Sequence, residues 1–204
     1  MKSIKNIVFD VGNVLVDFRY ISYMKSLGFS EETIALFTTN IVFSDFWKQM
    51  DLGTADMEDA PAFFTSQMPR HQDEIALFFK NIAGIVEEFP WSKPLVRRLK
   101  DAGYRVYALS NYPKRLAALH WKTFRFLPFM DGYIISSHEK LAKPDPAIYR
   151  LLEERFGIAL NESAFIDDSA ENVAAAASLG MSAVLFDGYE SLMEKLNALL
   201  PVSL

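Results

Sequence analysis

The chain has 204 residues, a formal charge of −5, 50% hydrophobic and 14% aromatic content, and no Cys. So apolar a composition with so modest a charge excludes a disordered chain, and the lack of Cys excludes disulfides, thiolate zinc sites and Cys nucleophiles. The acidic balance lacks the footprint of a nucleic-acid binder, and no apolar stretch reaches the roughly 18 residues of a membrane span.

Ile4–Phe9 is the first apolar run and reads as a buried strand. Its core, Ile7-Val8-Phe9, stops at Asp10, short of the roughly 7–15 residues of a secretory h-region. A soluble, cytoplasmic protein is therefore expected. From about Phe18 to Glu88 the signals are helical, with no good strand. Arg19–Leu27 ends at Gly28, Ser30 stands where an N-cap belongs, Thr54 is expected to cap Ala55–Gln67, and Arg70–Val86 reads as a last helix. The Phe and Met residues of this stretch, among them Phe37, Phe43, Met50, Phe63 and Phe78, read as the core of a small bundle.

Beyond it, strand and helix patterns alternate. Lys93–Ala102 is helical and Tyr104–Leu109 is a strand. Helix Pro113–Lys122, strand Gly132–Ile135, helix Pro146–Phe156, strand Ala164–Ile166, helix Ala170–Leu179, strand Ala183–Phe186 and helix Glu190–Leu199 follow. Gly103, Gly157 and Gly180 stand just past helices, where a left-handed cap is wanted. This alternation specifies an α/β fold, a parallel sheet with helices on both faces. Residues 1–17 and 88–204 form its core, and 18–87 form a helical insertion after strand one.

Ligands of parallel sheets bind at the carboxyl ends of the strands. Here those ends carry Asp10-Val11-Gly12-Asn13, Ser110-Asn111, Lys143-Pro144-Asp145 after a loop, and Asp167-Asp168-Ser169. Three crowded carboxylates repel one another unless a cation stands among them, and an all-oxygen set suits Mg²⁺. With Lys143 and the Ser110 hydroxyl free to hold an anion, the edge has the makings of a phosphoryl site.

These four segments, in this order, resemble the four motifs of the haloacid dehalogenase superfamily, over essentially the whole chain. Phe9-Asp10-Val11-Gly12-Asn13-Val14 is similar to the nucleophile motif, Leu109-Ser110-Asn111 to the second, Lys143 through Tyr149 to the third, and Phe165 through Asn172 to the fourth. The resemblance implies a Rossmann-like core with a small α-helical cap. The first motif resembles that of bacterial sugar-phosphate phosphatases, including ones acting on glucose 1-phosphate. It further implies Asp10 as a nucleophile forming an aspartyl phosphate, and Mg²⁺ held by Asp10, the Gly12 carbonyl, Asp168 and, directly or through water, Asp167. Ser110, Asn111 and Lys143 would bind the phosphoryl group. Asp17, Arg19, Tyr20 and Trp47 are the expected substrate contacts from the cap. A small phosphorylated metabolite is the expected partner, sugar phosphates favoured, with neither nucleic acid nor membrane.

One position departs from the pattern. Most phosphatases of the superfamily carry a second Asp two residues after the nucleophile, as acid and then base; here it is Gly12. Such help is worth about 10²–10⁴ in rate. Asp17 or a cap residue near Arg19 and Tyr20 could supply the proton, the leaving group could need little protonation, or the chain could bind phosphates and barely hydrolyse them. The second reading is favoured. A metal-free 2-haloacid dehalogenase is the main rival, weighed against by the Asp167-Asp168 pair. His71, His120 and His138 share no metal-ligand spacing.

Overall fold

The computed structural model describes residues 3–201. In chain order its strands are β1 (Asn6–Phe9), β2 (Val16–Phe18), β3 (Val86–Glu88), β4 (Arg105–Ser110), β5 (Gly132–Ile135), β6 (Ser163–Asp167) and β7 (Ser182–Leu185). Five form one parallel sheet in the order β5-β4-β1-β6-β7. The central strand β1 is buried throughout. Successive side chains of a strand point to opposite faces, so Ile7 and Phe9 enter one packed cluster while Val8 joins Tyr107, Leu109 and Phe165 in the other. Truncating a buried aromatic such as Phe9 to Ala costs about 3–5 kcal/mol.

Between β2 and β3 lie α1 (Tyr20–Ser26), α2 (Glu31–Phe37), a π-helical turn Thr38–Val42, α3 (Asp45–Leu52), α4 (Ala60–Gln67) and α5 (Gln72–Lys80). The helices after β3 are α6 (Ser92–Asp101), α7 (Lys114–His120), α8 (Ser136–Glu139), α9 (Pro146–Phe156), α10 (Ala170–Ser178) and α11 (Tyr189–Leu199). Among the described residues no helix is long and apolar enough to cross a membrane.

The α/β pattern matches the sequence expectation, with element ends moved by a residue or two. The insertion differs more. Its two ends pair as an antiparallel ribbon, Val16 opposite Glu88 and Phe18 opposite Val86, where no strand was expected; three residues are too few to tell a strand from a loop by sequence pattern. Ser30 does cap α2, accepting from the Thr33 amide. Thr54 caps nothing: its hydroxyl donates to the Gln49 carbonyl, and α4 begins at Ala60 beside Pro61. Arg70–Val86 is not one helix but a 3-10 turn, α5, a second 3-10 turn and the start of β3. Phe43 and Phe63 are exposed (61% and 41%) rather than core.

Candidate active site

The sheet order places β1 between β4 and β6, so Asp10 emerges at the centre of the carboxyl edge. The Asp10 amide donates to the Ile166 carbonyl, and its Oδ1 accepts from the Val11 amide at 2.7 Å. Asp10, Asp167 and Asp168 each offer an oxygen within 4.8 Å of the others. Lys143 Nζ is buried 2.8 Å from Asp10 Oδ1 and 2.6 Å from Asp167 Oδ2. Burial pulls this ammonium's pKa down, but the two carboxylates outweigh burial and raise it. Burial pushes the Asp10 carboxyl up to about 7; Lys143 opposes the rise, and Asp167 and Asp168 add to it.

Each carboxylate is oriented differently. Asp167 is fully engaged, Oδ1 accepting from the Ser169 amide and Asn172 Nδ2, Oδ2 from Lys143 and Asn172. Asp168 is exposed, and its Oδ2 accepts from Asn13 Nδ2 at 2.9 Å. Asn13 stands at φ +54°, a left-handed conformation that Asn tolerates well, and so ties the loop after β1 to the end of β6. These hard oxygen donors fit a small divalent cation: Asp168 keeps an oxygen free of hydrogen bonds, whereas both oxygens of Asp167 are engaged.

The Asn111 side chain holds the neighbouring loop, a task separate from the phosphoryl contact expected of its backbone. Its amide clamps the Lys143 backbone, Nδ2 donating to the Lys143 carbonyl and Oδ1 accepting from the Lys143 amide, both at 2.9 Å. Ser110 is fully buried at the end of β4, with Oγ 3.5 Å from the Asn111 carbonyl. Asp145 is a helix cap, accepting from the Ala147 amide, with Pro146 opening α9.

A pocket of about 170 Å³ opens over Asp10, Gly12, Asn13, Asn111 and Asp168. Its walls are mostly apolar: Val16, Phe18, Val86, Trp47, Tyr112, Pro113 and Leu116. Of the four expected substrate contacts only Trp47 is there. The alternation of β2 turns Val16 and Phe18 inward and Asp17 away. Asp17, Arg19 and Tyr20 line a separate surface depression, and Arg19 is held by the Gly84 carbonyl and Glu87.

The sequence reading missed Asp51, which lines the pocket from α3. Ser44 caps α3 and Gly53 ends it in a left-handed conformation, so this short helix is well delimited. Trp47 and Asp51 are four apart and share its inward face. The cap-to-Gly spacing was a signal for the helix, though not for where it docks. The Ser136 hydroxyl, following β5, donates to the Asp51 carbonyl and accepts from the Tyr112 amide. Burial, and then the Asp10 charge, push the Asp51 carboxyl up to about 8 against the pull of Lys143.

A family model for haloacid dehalogenase-like hydrolases matches residues 4–180. The chain belongs to that family. This haloacid dehalogenase-like hydrolase is 29% identical over 199 residues to the sesquiterpene phosphatase astK of Aspergillus oryzae, covering 93% of this chain and 94% of that one. It is 26% identical over 148 residues to (S)-2-haloacid dehalogenase 4A of Burkholderia cepacia, covering 70% and 59%. Its fold superposes with a TM-score of 0.66 on a family enzyme from Bacteroides thetaiotaomicron crystallised with magnesium and inorganic phosphate, at 25% identity over 93% of this chain and 99% of that one. The hydrolase thus has phosphatase and dehalogenase relatives alike.

Proposed function

We propose that this hydrolase is a Mg²⁺-dependent phosphohydrolase that cleaves a small phosphorylated metabolite through an aspartyl phosphate on Asp10. The observation that carries the reading is the convergence of Asp10, Asp167 and Asp168 beside the buried Lys143. Displacing halide at carbon needs no cation and gains nothing from two further carboxylates. Phosphoryl transfer gains directly, because charge on the transferring group must be offset. The end-to-end likeness to a phosphatase and to an enzyme crystallised with magnesium and phosphate supports the same choice.

When bound, Mg²⁺ supplies Lewis acidity and charge at the phosphoryl oxygens. In this reading Asp10, Asp168 and the Gly12 carbonyl hold it, with Asp167 behind a water. The Asp10 carboxylate attacks phosphorus, Lys143 offsets charge on Asp10 and the incoming group, and Ser110 with the Asn111 backbone N–H holds the phosphoryl oxygens. Water then releases phosphate from Asp10, so one difficult displacement becomes two easier ones.

The walls bear on the leaving group. A sugar ring buried here would need a partner for each hydroxyl. Most of the lining is apolar; the side chains of Asn13 and Asn111 are already engaged by Asp168, Phe18 and Lys143, which leaves the Asp51 carboxyl as the polar wall group without a hydrogen bond among the described residues. This favours a compact alcohol with an apolar body over the sugar phosphate expected from sequence.

The test is turnover of a panel of phosphate monoesters and 2-haloacids by purified protein in Mg²⁺ and in excess EDTA. Phosphate release that needs Mg²⁺ and vanishes in Asp10→Asn is expected, fastest on compact apolar esters. Halide release that persists in EDTA overturns the reading. Phosphate binding without turnover leaves a binding protein instead.

A further inference from the structure

An alcohol expelled from phosphorus must gain a proton, and Gly12 brings no side chain to give one. A Cβ built on Gly12 meets nothing within 4 Å, so the space beside Asp10 is open there. Three carboxylates face the pocket: Asp10, Asp168 and Asp51. Asp10 attacks phosphorus, and Asp168 belongs to the carboxylate cluster and is tied to Asn13. Asp51 alone has no part in that cluster. It lines the pocket from α3, the helix that also carries Trp47.

Its position is fixed by the core rather than by its own helix. Ser136 holds its carbonyl. Two residues on, Gly53 stands at φ +74°, where an added Cβ would come within 2.3 Å of the Ser137 carbonyl. The end of α3 is therefore pressed onto the segment that follows β5, and the carboxyl is presented to the pocket from a rigid mount.

We propose that Asp51 is the acid–base group of this site, protonating the departing alcohol and then deprotonating the water that releases phosphate. The inference rests on the phosphohydrolase reading given above. Burial supports it, because a carboxyl raised to about 8 holds its proton at neutral pH, the form the first step requires.

The balance closes. In the first step the Asp10 carboxylate bonds to phosphorus, the bond from phosphorus to the ester oxygen breaks, and the Asp51 proton passes to that oxygen. The products are free alcohol, the aspartyl phosphate and an Asp51 carboxylate. In the second step the Asp51 carboxylate takes a proton from water as its oxygen bonds to phosphorus and the bond to Asp10 breaks. Inorganic phosphate leaves, and Asp10 and the protonated Asp51 are restored.

The test compares an alkyl phosphate with 4-nitrophenyl phosphate, whose phenolate leaves without a proton. Rapid-mixing and steady-state rates in Mg²⁺ are measured for wild type, Asp51→Asn, Asp51→Glu and Asp10→Asn, with thermal melts to confirm folding. In Asp51→Asn, alkyl-phosphate turnover is expected to fall about 10²–10⁴-fold. The same variant should keep a burst of nitrophenolate approaching one per enzyme, followed by slow turnover, and Asp51→Glu should recover part of the alkyl rate. An unchanged alkyl rate, or a nitrophenolate burst lost as fully as the alkyl reaction, overturns the proposal and leaves Asp51 a packing residue. Wild type inactive on both esters, or Asp10→Asn active on both, overturns the phosphohydrolase reading and this one with it.

Discussion

The Ser136 hydroxyl joins the Tyr112 amide to the Asp51 carbonyl, so one side chain at the end of β5 holds both the loop after β4 and the helix facing it. Removing it orphans a buried amide, which costs about 1–3 kcal/mol. Ser136→Ala should lower the unfolding free energy by that amount in a denaturant titration. It should also lower kcat, because both the mount of Asp51 and the loop that follows Ser110-Asn111 lose their tie.

Lys143→Met leaves Asp10 and Asp167 buried without their cation. Breaking one partner of a buried ion pair costs about 3–5 kcal/mol. The variant should melt well below wild type in EDTA, and saturating Mg²⁺ should recover part of the difference through its binding free energy. Phosphohydrolase activity should not return with the stability.

The pH dependence of the metal-free fold has a definite sign. Asp10 and Asp51 are carboxyls raised from 3.8 to about 7 and about 8 in the folded chain. A raised acid binds its proton more tightly when folded, so its contribution is present below the unfolded value and lost as pH rises through the folded one. Stability in EDTA should therefore fall from about pH 4 up to about pH 8 and level off above that, and Asp51→Asn should flatten that slope. A slope identical in the variant would remove Asp51 from the account. His120 works in the opposite direction. Burial lowers it from 6.5, so its contribution is lost as pH drops below that value. His120→Gln should soften the loss on acidification.

Two glycines near the site should respond oppositely. Gly53→Ala places a Cβ against the Ser137 carbonyl at positive φ, a conformation costing about 1–3 kcal/mol before any clash is counted. Thermal melts should show clear destabilisation. Gly12→Asp meets open space at an ordinary φ and should fold like wild type. In an Asp51→Asn background it should raise alkyl-phosphate turnover by supplying a second carboxyl beside Asp10.

The sheet was readable because strands buried on both faces must be apolar throughout, so the polar residue ending each run marks the ligand edge. Asp10, Ser110 and Asp167 could be placed that way. Asp51 could not. Forty-one residues after Asp10, it reaches the pocket because α3 docks against Ser136 and Ser137, and no local pattern encodes that docking. Asp17 misled for the complementary reason: it sits between two pocket residues in sequence, and the pleat of β2 sends it the other way. The side chain of Asn111 likewise serves Lys143, a contact thirty-two residues away.

The β2–β3 ribbon also marks where a graft would cross. Val16–Phe18 and Val86–Glu88 are adjacent strands at the base of the helical segment, so a replacement segment needs only two junctions. Asp10, Ser110, Lys143, Asp167 and Asp168 all lie outside those junctions, whereas Trp47 and Asp51 lie between them. Exchanging the segment would therefore leave the nucleophile in place and deliver a new wall together with its own proton donor. Leaving-group shape and leaving-group acidity would be inherited as a single cassette.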